Sequence, residues 1–329
     1  MNAPVDQKTV GSGQLQREAQ AWLRRLTSGK VTQHDAQAFR LWRTTSALHE
    51  EAFVEAQRGW NALGPAMRAL ADEDKALADK LRSPRRPALG RRAFVGGAVS
   101  VIAAAGVAVV YPPAGWLSTV TDWRADYRTD TGEQRRVALA DRVSVDMNTL
   151  TRIARQDVNG QTVGIELISG EASVDLAARA REFSVISGAG RSVAQSGRFE
   201  VRHTDDTSCV TCVDGAVEVR HRLGTRRLTA RQQVTYDRQS LGEVVVVDPV
   251  ALTAWRDGIL VFRQTPLDHV IEEINRYRPG HVLLLNRSVG NREVSGRFSI
   301  RALDTVLVQI QHTYALHAER LPAGLLLLS

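Results

Sequence analysis

With 329 residues, the chain is too long for one small core and long enough for two or three domains. Hydrophobic residues at 43% and charged residues at 24% describe a chain that folds and exclude a disordered polyelectrolyte, while two cysteines exclude a disulfide framework. The net charge of +7 is unevenly placed: 16 Lys and Arg face 10 Asp and Glu before Ala93, but 27 face 26 from Ala93 onward. All four lysines precede Ala93, so the two sides of that residue read as parts built for different surroundings.

Residues 1–81 read as a helical module. Gln14–Ser28 places Leu15, Ala19, Trp22, Leu23 and Leu26 on one face at helical spacing, and Gly29 stops it. Thr32, with Asp35 three residues on, is a capping signal for a helix through Ala36, Phe39, Leu41 and Trp42. Ser46 caps a third helix carrying Ala52, Phe53, Ala56 and Trp60, and Met67–Leu81 is a weaker fourth. Three tryptophans are many for so small a bundle. Core packing accounts for most of them, yet a module this size buries little surface alone, and aromatic faces left open suit a partner.

Residues 82–92 form a basic linker containing Arg82, Arg85, Arg86, Arg91 and Arg92. No charge then occurs from Ala93 to Thr121, and the apolar run 93–111 has the length of a membrane-spanning helix. The arginines on its N-terminal side, with Tyr111 and Trp116 beyond it, predict a single pass through the inner membrane, N-terminus in the cytoplasm and the larger C-terminal part in the periplasm. Gly90-Arg91-Arg92-Ala93-Phe94-Val95 is also similar to a twin-arginine export signal.

From Trp123 to about Val247 the pattern alternates apolar with polar, as in Val143-Ser144-Val145-Asp146-Met147 and Ala172-Ser173-Val174-Asp175-Leu176. Gly132-Glu133, Asn159-Gly160, Gly170-Glu171 and Asp214-Gly215 read as turns between short strands, and Asp214-Gly215 as a hairpin tip. Cys209 and Cys212 form a CxxC, but on a strand positions i and i+3 face opposite ways with Cα atoms about 10 Å apart. Two ordinary small residues are therefore expected, with a distorted disulfide or a metal pair as the alternatives. From Asp248 a third unit follows, with a turn and strand at Trp255–Phe262 and an amphipathic helix at Pro266–Arg278. A strand at Val282–Leu285 and a further strand after Ser295-Gly296-Arg297-Phe298 come next, then a helix at Ala302–Gln311 and a last strand at Leu325–Leu328. His269, Glu272 and Glu273 share a helix face. That is a solvated face or, less simply, a metal half-site.

Several of these stretches resemble one family. Ala21-Trp22-Leu23-Arg24-Arg25-Leu26, Gly29, Asp35, Phe39, Trp42, Ser46, His49, Ala52 and Trp60, in that order, resemble the N-terminal domain of FecR-type anti-sigma factors. Thr131-Gly132-Glu133, Leu167-Ile168-Ser169-Gly170-Glu171-Ala172, Phe199-Glu200-Val201 and Val213-Asp214-Gly215-Ala216-Val217 resemble the domain that names the family. Trp255, Gly258, Phe262, Pro266-Leu267, Arg276-Tyr277 and Ser295-Gly296-Arg297-Phe298 resemble its C-terminal signalling-type domain.

The resemblance implies a multidomain membrane protein. Its parts are an all-α anti-sigma bundle (1–81), the basic linker (82–92), one transmembrane helix (93–111), an all-β FecR domain (120–247) and a small α+β receptor-interaction domain (248–329). It implies that Trp22, Leu26, Phe39, Trp42, His49, Ala52 and Trp60 form or support the grip on an extracytoplasmic-function sigma factor. Trp255, Gly258, Phe262, Leu267, Tyr277, Gly296 and Phe298 would meet the N-terminal signalling domain of a TonB-dependent outer-membrane receptor, of the iron or siderophore uptake kind. Signalling would proceed through membrane and intramembrane proteases, without direct DNA binding. No catalytic, metal or cofactor constellation is expected. The other reading is a membrane-anchored β-rich envelope scaffold without a sigma partner.

Overall fold

The first helix, α1, spans Gln7–Leu26 and buries Ala19, Leu23 and Leu26 along one stripe. It ends where Thr27 and Ser28 turn their hydroxyls back onto the carbonyls of Leu23 and Arg25. Helix α2, Gln33–Thr44, opens with the capping box that the spacing predicts: Asp35 N donates to Thr32 Oγ1 at 3.2 Å, and Thr32 N to Asp35 Oδ2 at 3.0 Å. The backbone and hydroxyl of Thr32, then Arg25, hold the Asp35 carboxyl down to about 2. Residues 47–60, α3, are helical, preceded by Ser46, whose hydroxyl lies 2.8 Å from His49 Nδ1. This computed structural model describes residues 7–28, 31–60, 124–140, 142–177 and 182–329, and the chain divides into two compact units. The first is Met1–Trp116 with Glu319–Leu327; the second is Leu117–Ala318 with Leu328–Ser329.

The expected fold class, a membrane protein with one transmembrane helix, is corrected by the structure: no helix among the described residues is long and apolar enough to cross a membrane. The longest of them, α1, has 20 residues but is apolar along one stripe only and carries Arg17, Glu18, Arg24 and Arg25 on its other faces. The run 93–111 lies outside the described residues, as do the expected fourth helix and Arg85, Arg86, Arg91 and Arg92.

The second unit is built on a barrel-like sheet of 12 strands. They are β1 (Tyr127–Arg128), β2 (Arg135–Ala140), β3 (Val143–Met147), β4 (Arg152–Val158), β5 (Gln161–Leu176), β6 (Phe183–Ser187), β7 (Gly190–Ala194), β8 (Gly197–Thr204), β9 (Thr207–His221), β10 (Gly224–Thr229), β11 (Gln232–Tyr236) and β12 (Val245–Val246). Their inward residues, among them Val145, Ile165, Phe183, Phe199 and Val219, make one apolar core. Asn159-Gly160 is a true hairpin tip, both residues at positive φ, between the paired Val158 and Gln161.

Gly170-Glu171 and Asp214-Gly215, read from the sequence as turns, are not turns. Strand β5 continues without a break through Gly170 and exchanges partners there: its first half pairs with β4 and β6, its second with β3 and β8. Strand β9 does the same at Gly215, passing from β8 and β11 to β7 and β10. Both glycines have positive φ, 93° and 79°. A Gly at positive φ serves a hairpin or a bulge equally well, and only the neighbouring strands decide which. Here two long strands bend from one face of the barrel to the other at these corners.

Beyond β12 a short helix at Pro249–Thr253, capped by Asp248, leads to a 3-10 turn at Ala254–Asp257 that Gly258 closes at φ 72°. Then come β13 (Ile259–Pro266), α4 (Leu267–Tyr277), β14 (Val282–Leu284), β15 (Glu293–Ser299), α5 (Leu303–Thr313), β16 (Ala318–Arg320) and β17 (Leu326–Leu328). Strands β13 and β15 pair antiparallel, and β14, β17 and β16 form a three-stranded sheet in that order. Helix α4 buries Leu267, Val270, Ile271 and Ile274, the stripe expected of it. Strand β16 has no counterpart in the sequence reading, because Ala-Glu-Arg carries no apolar alternation.

A methyl group on Gly170 would sit 2.5 Å from Thr151 Cα, whereas one on Gly160 meets nothing within 4 Å. Gly170→Ala is therefore expected to cost more than about 3 kcal/mol, backbone strain and overpacking together. Gly160→Ala is expected to cost about 1–2 kcal/mol from positive φ alone. Urea unfolding of the two variants followed by circular dichroism checks the order; equal costs would refute the corner assignment.

Candidate functional site

The three N-terminal helices meet around aromatic rings. Phe39 is the centre: its ring lies 5.6 Å from Trp22, 6.3 Å from Trp42 and 4.6 Å from Phe53, centroid to centroid. Trp42 touches Trp22 at 6.4 Å and takes the edge of His49 at 5.1 Å. Phe39, Phe53, Leu26 and Ala52 are buried, while Trp22, Trp42, His49 and Trp60 are half-buried and keep a face open. The Trp42 indole N–H donates to Glu18 Oε2 at 2.8 Å, which, with Gln14, holds that carboxyl below its ordinary value. Trp60 lines a groove of about 460 Å³ with Leu23, Ala52 and Ala56. In the same module Leu41 and Leu48 are 73% and 61% exposed. Sequence reasoning passed over Glu18, which lies 24 positions from Trp42, and gave no role to Leu41 or Leu48 as surface residues.

In the second unit the candidate receptor-facing residues fall into two groups. Trp255, Phe262 and Tyr277 line one cleft of about 540 Å³ with His269, Glu272 and Glu273. Leu267 is core of α4, Gly258 is the turn before β13, and Gly296 lets the Phe298 ring lie flat over it, 5.8 Å from Phe262.

The floor of this cleft is ionic. Directly after the corner at Gly170, Glu171 turns its buried carboxylate to α4, where Arg276 Nη2 meets it at 2.7 Å. Asn148 Nδ2 donates to Glu171 Oε2 at 2.8 Å and lies 2.7 Å from the Tyr277 hydroxyl. Arg276 also holds Glu273 at 2.5 Å, and Glu273 reaches back to Arg202 of β8 at 3.3 Å. A second arginine, Arg256, bridges Asp146 of β3 at 2.6 Å and Asp175 of β5 at 2.7 Å. Burial alone would raise the Glu171 carboxyl, but Arg276 and then Arg202 more than offset it and hold it below the ordinary range. Glu200 of β8 has the opposite balance. It is buried against the Trp255 indole with no hydrogen bond of normal geometry to its Oε1, and burial, then the Glu171 charge, push its carboxyl well above the ordinary range despite Arg256 and Arg198.

His269 and Glu272 are exposed, and among the described residues no group of His, Cys, Asp and Glu is arranged to hold a metal. Cys209 and Cys212 are free thiols on β9. Burial pushes Cys212 up to about 11, which leaves it a poor nucleophile.

The two carboxyls predict opposite pH behaviour. Glu171, lowered in the fold, stabilises at pH above the ordinary carboxylate value and loses that contribution as pH falls through its folded value. Glu200, raised in the fold, costs nothing below the ordinary value and destabilises progressively as pH rises through its folded one. At neutral pH Glu171→Gln should lower stability by about 3 kcal/mol, because it strands a buried arginine, and Glu200→Gln should leave it unchanged or raise it. Thermal melts from pH 4 to 8 check this; losses of the same sign and size in both variants would contradict it.

Comparison with known proteins agrees with this geometry. The family model described as FecR protein matches residues 125–218, the barrel-like sheet through most of β9. The one described as a domain of unknown function, DUF4880, matches residues 17–58, which carry the aromatic cluster. No curated protein matches the chain closely enough to count as a relative. Two crystal structures of a candidate anti-sigma factor from Parabacteroides distasonis share the fold. One is 22% identical with a TM-score of 0.52, over 62% of this chain and 97% of that one. The other is 23% identical with the same TM-score, over 61% and 96%. Along the chain a DUF4880 region over the helical module is thus followed by a FecR region over the sheet.

Proposed function

We propose that this sigma-factor regulator grips an extracytoplasmic-function sigma factor with its helical module and sets that grip by a signal received at its C-terminal end. The observation that carries the reading is the open aromatic face of the module. Trp22 and Trp42 are braced from behind by Phe39 and Glu18, and Leu41 and Leu48 of the same module are exposed as well. Large rings held rigidly at a surface supply contact area at little entropic cost, which is the chemistry of interface anchors.

At the other end, the two-stranded β13–β15 ribbon has edges with no partner strand among the described residues, which suits strand addition by a receptor's signalling domain. A TonB-dependent receptor of the iron or siderophore type is the proposed partner there, and proteolysis of the regulator the proposed relay. The arginine run from Arg82 to Arg92 supports placement at the inner membrane through attraction to anionic lipid, with the helical module on the cytoplasmic side. The protein acts as a regulator and not as an enzyme.

Affinity capture of the full chain from a membrane fraction, with mass spectrometry of what comes with it, tests the reading. A sigma factor is expected. Trp42→Ala and Leu48→Asp should each weaken its recovery at least about tenfold, the cost of losing one interface anchor. Recovery of envelope proteins without a sigma factor, or a sigma complex indifferent to both substitutions, would favour a scaffold instead.

A further inference from the structure

We infer that the C-terminal module is a clasp, docked on the barrel-like sheet by two arginine catches, Arg256 and Arg276, and able to lift off as one body. Three independent features carry this.

The first is the chemistry of the seam. Arg256 reaches Asp146 and Asp175, Arg276 reaches Glu171, and Glu273 answers with a contact to Arg202. The neutral contacts are polar as well: Gln134 Nε2 donates to the Trp255 carbonyl at 2.7 Å, and Thr149 Oγ1 to the Arg276 carbonyl at 2.9 Å. A seam of this composition resembles a transient interface between proteins and not the inside of a domain.

The second is the separation of cores. The apolar cluster of the sheet takes in residues from Tyr127 to Val244 and none from the module. The module buries its own stripes, Val270 and Ile274 on α4 and Val306 and Ile310 on α5. Lifting the module off would therefore expose paired charges together with the Trp255 and Tyr277 rings, and leave the two aliphatic cores closed.

The third is the connection. From Asp237 to Thr253 no residue is buried, and the only strand in that stretch is the two-residue β12. Val245, Val246 and Val250 lie exposed along it, at 49%, 75% and 63%. Leu241 and Val244 pack on the sheet core and β12 pairs with β11, so it is the short stretch beyond β12 that can follow the module outward.

The docked state also carries a cost of its own. Glu200 Oε1 and the Trp255 indole N–H are both buried without a hydrogen bond of normal geometry, and such groups regain water on release. The cleft opens directly onto Glu171 and Arg276, so the catch lies within reach of anything that enters it.

Hydrogen exchange by mass spectrometry on the full chain tests the clasp, and it needs no sigma factor. In the double variant R256Q/R276Q, exchange should rise together on both banks of the seam, in 143–151 and 171–175 on the sheet and in 254–262 and 271–277 on the module. A rise of about tenfold or more is expected, as befits the loss of buried charge pairs. Strands β9 and β10 and helix α5 should keep their protection. The single variants R256Q and R276Q should give intermediate rises at the same peptides. Unchanged exchange in all three variants would overturn the inference. So would a single substitution that strips protection from the whole module or the whole sheet, because the seam would then be part of one core. A chain whose clasp releases as described but never captures a sigma factor would sustain this inference and sink the proposed function.

Discussion

A buried charge must find its partner or it destabilises whatever encloses it. In this chain that requirement falls on Glu171 and Arg276, and much of the second unit is arranged to meet it. Gly170, at positive φ and pressed against Thr151, bends β5 so that the next residue leaves one face of the barrel and confronts α4. Asn148 fills a remaining acceptor position of the carboxylate and joins it to the Tyr277 hydroxyl. Thr149, one residue on, takes the Arg276 carbonyl. A motif in the middle of the sheet and a motif near the C-terminus, 105 positions apart, are thus two halves of one contact.

The helical module answers a different constraint. It is too small to bury three tryptophans, and it does not try to. Phe39 and Phe53 take the centre, and Trp22 and Trp42 lean on them with one face out. The Glu18 carboxylate fixes the Trp42 ring through its N–H, which keeps a large apolar plate in one orientation at the surface. An interface anchor held still before contact loses little freedom on contact. The same arrangement would serve stability poorly, since open aromatic area forfeits part of its burial energy.

What could be read from the sequence divides along the range of the forces involved. The capping box at Thr32 and Asp35, the α4 stripe and the Asn159-Gly160 hairpin are local, and spacing alone located them. The two corners were misread because glycine chemistry at Gly170 and Gly215 is the same in a hairpin and in a bend, and the strands that decide come from elsewhere in the chain. Glu18 under Trp42, and Arg256 between Asp146 and Asp175, escaped notice for the same reason: a hydrogen bond across 24 residues or a charge pair across 110 leaves no periodic trace. The apolar run 93–111 was legible as composition, but the helices described elsewhere in the chain supply no membrane span. Trp255 and Tyr277 were singled out from the resemblance as receptor-facing, and both are buried at the seam instead of lying open on a surface.

That seam invites the question of why it is polar at all. Well-packed hydrophobic residues of similar volume would hold the module to the sheet as firmly as these ion pairs or more so, because each buried charge surrenders its hydration before it gains a partner. An apolar seam, however, would expose a sticky face whenever it opened, and would open rarely. Paired arginines and carboxylates behave differently. When apart these charges are solvated on both banks, and when together they fix one register, since Arg276 fits only where Glu171, Asn148 and the Thr149 hydroxyl converge. Glu200 adjusts the balance further: burial in the docked state disfavours its charged form, and its neighbour Glu171 adds to that. A surface that must be found again in the same register after each release is better served by such groups than by grease.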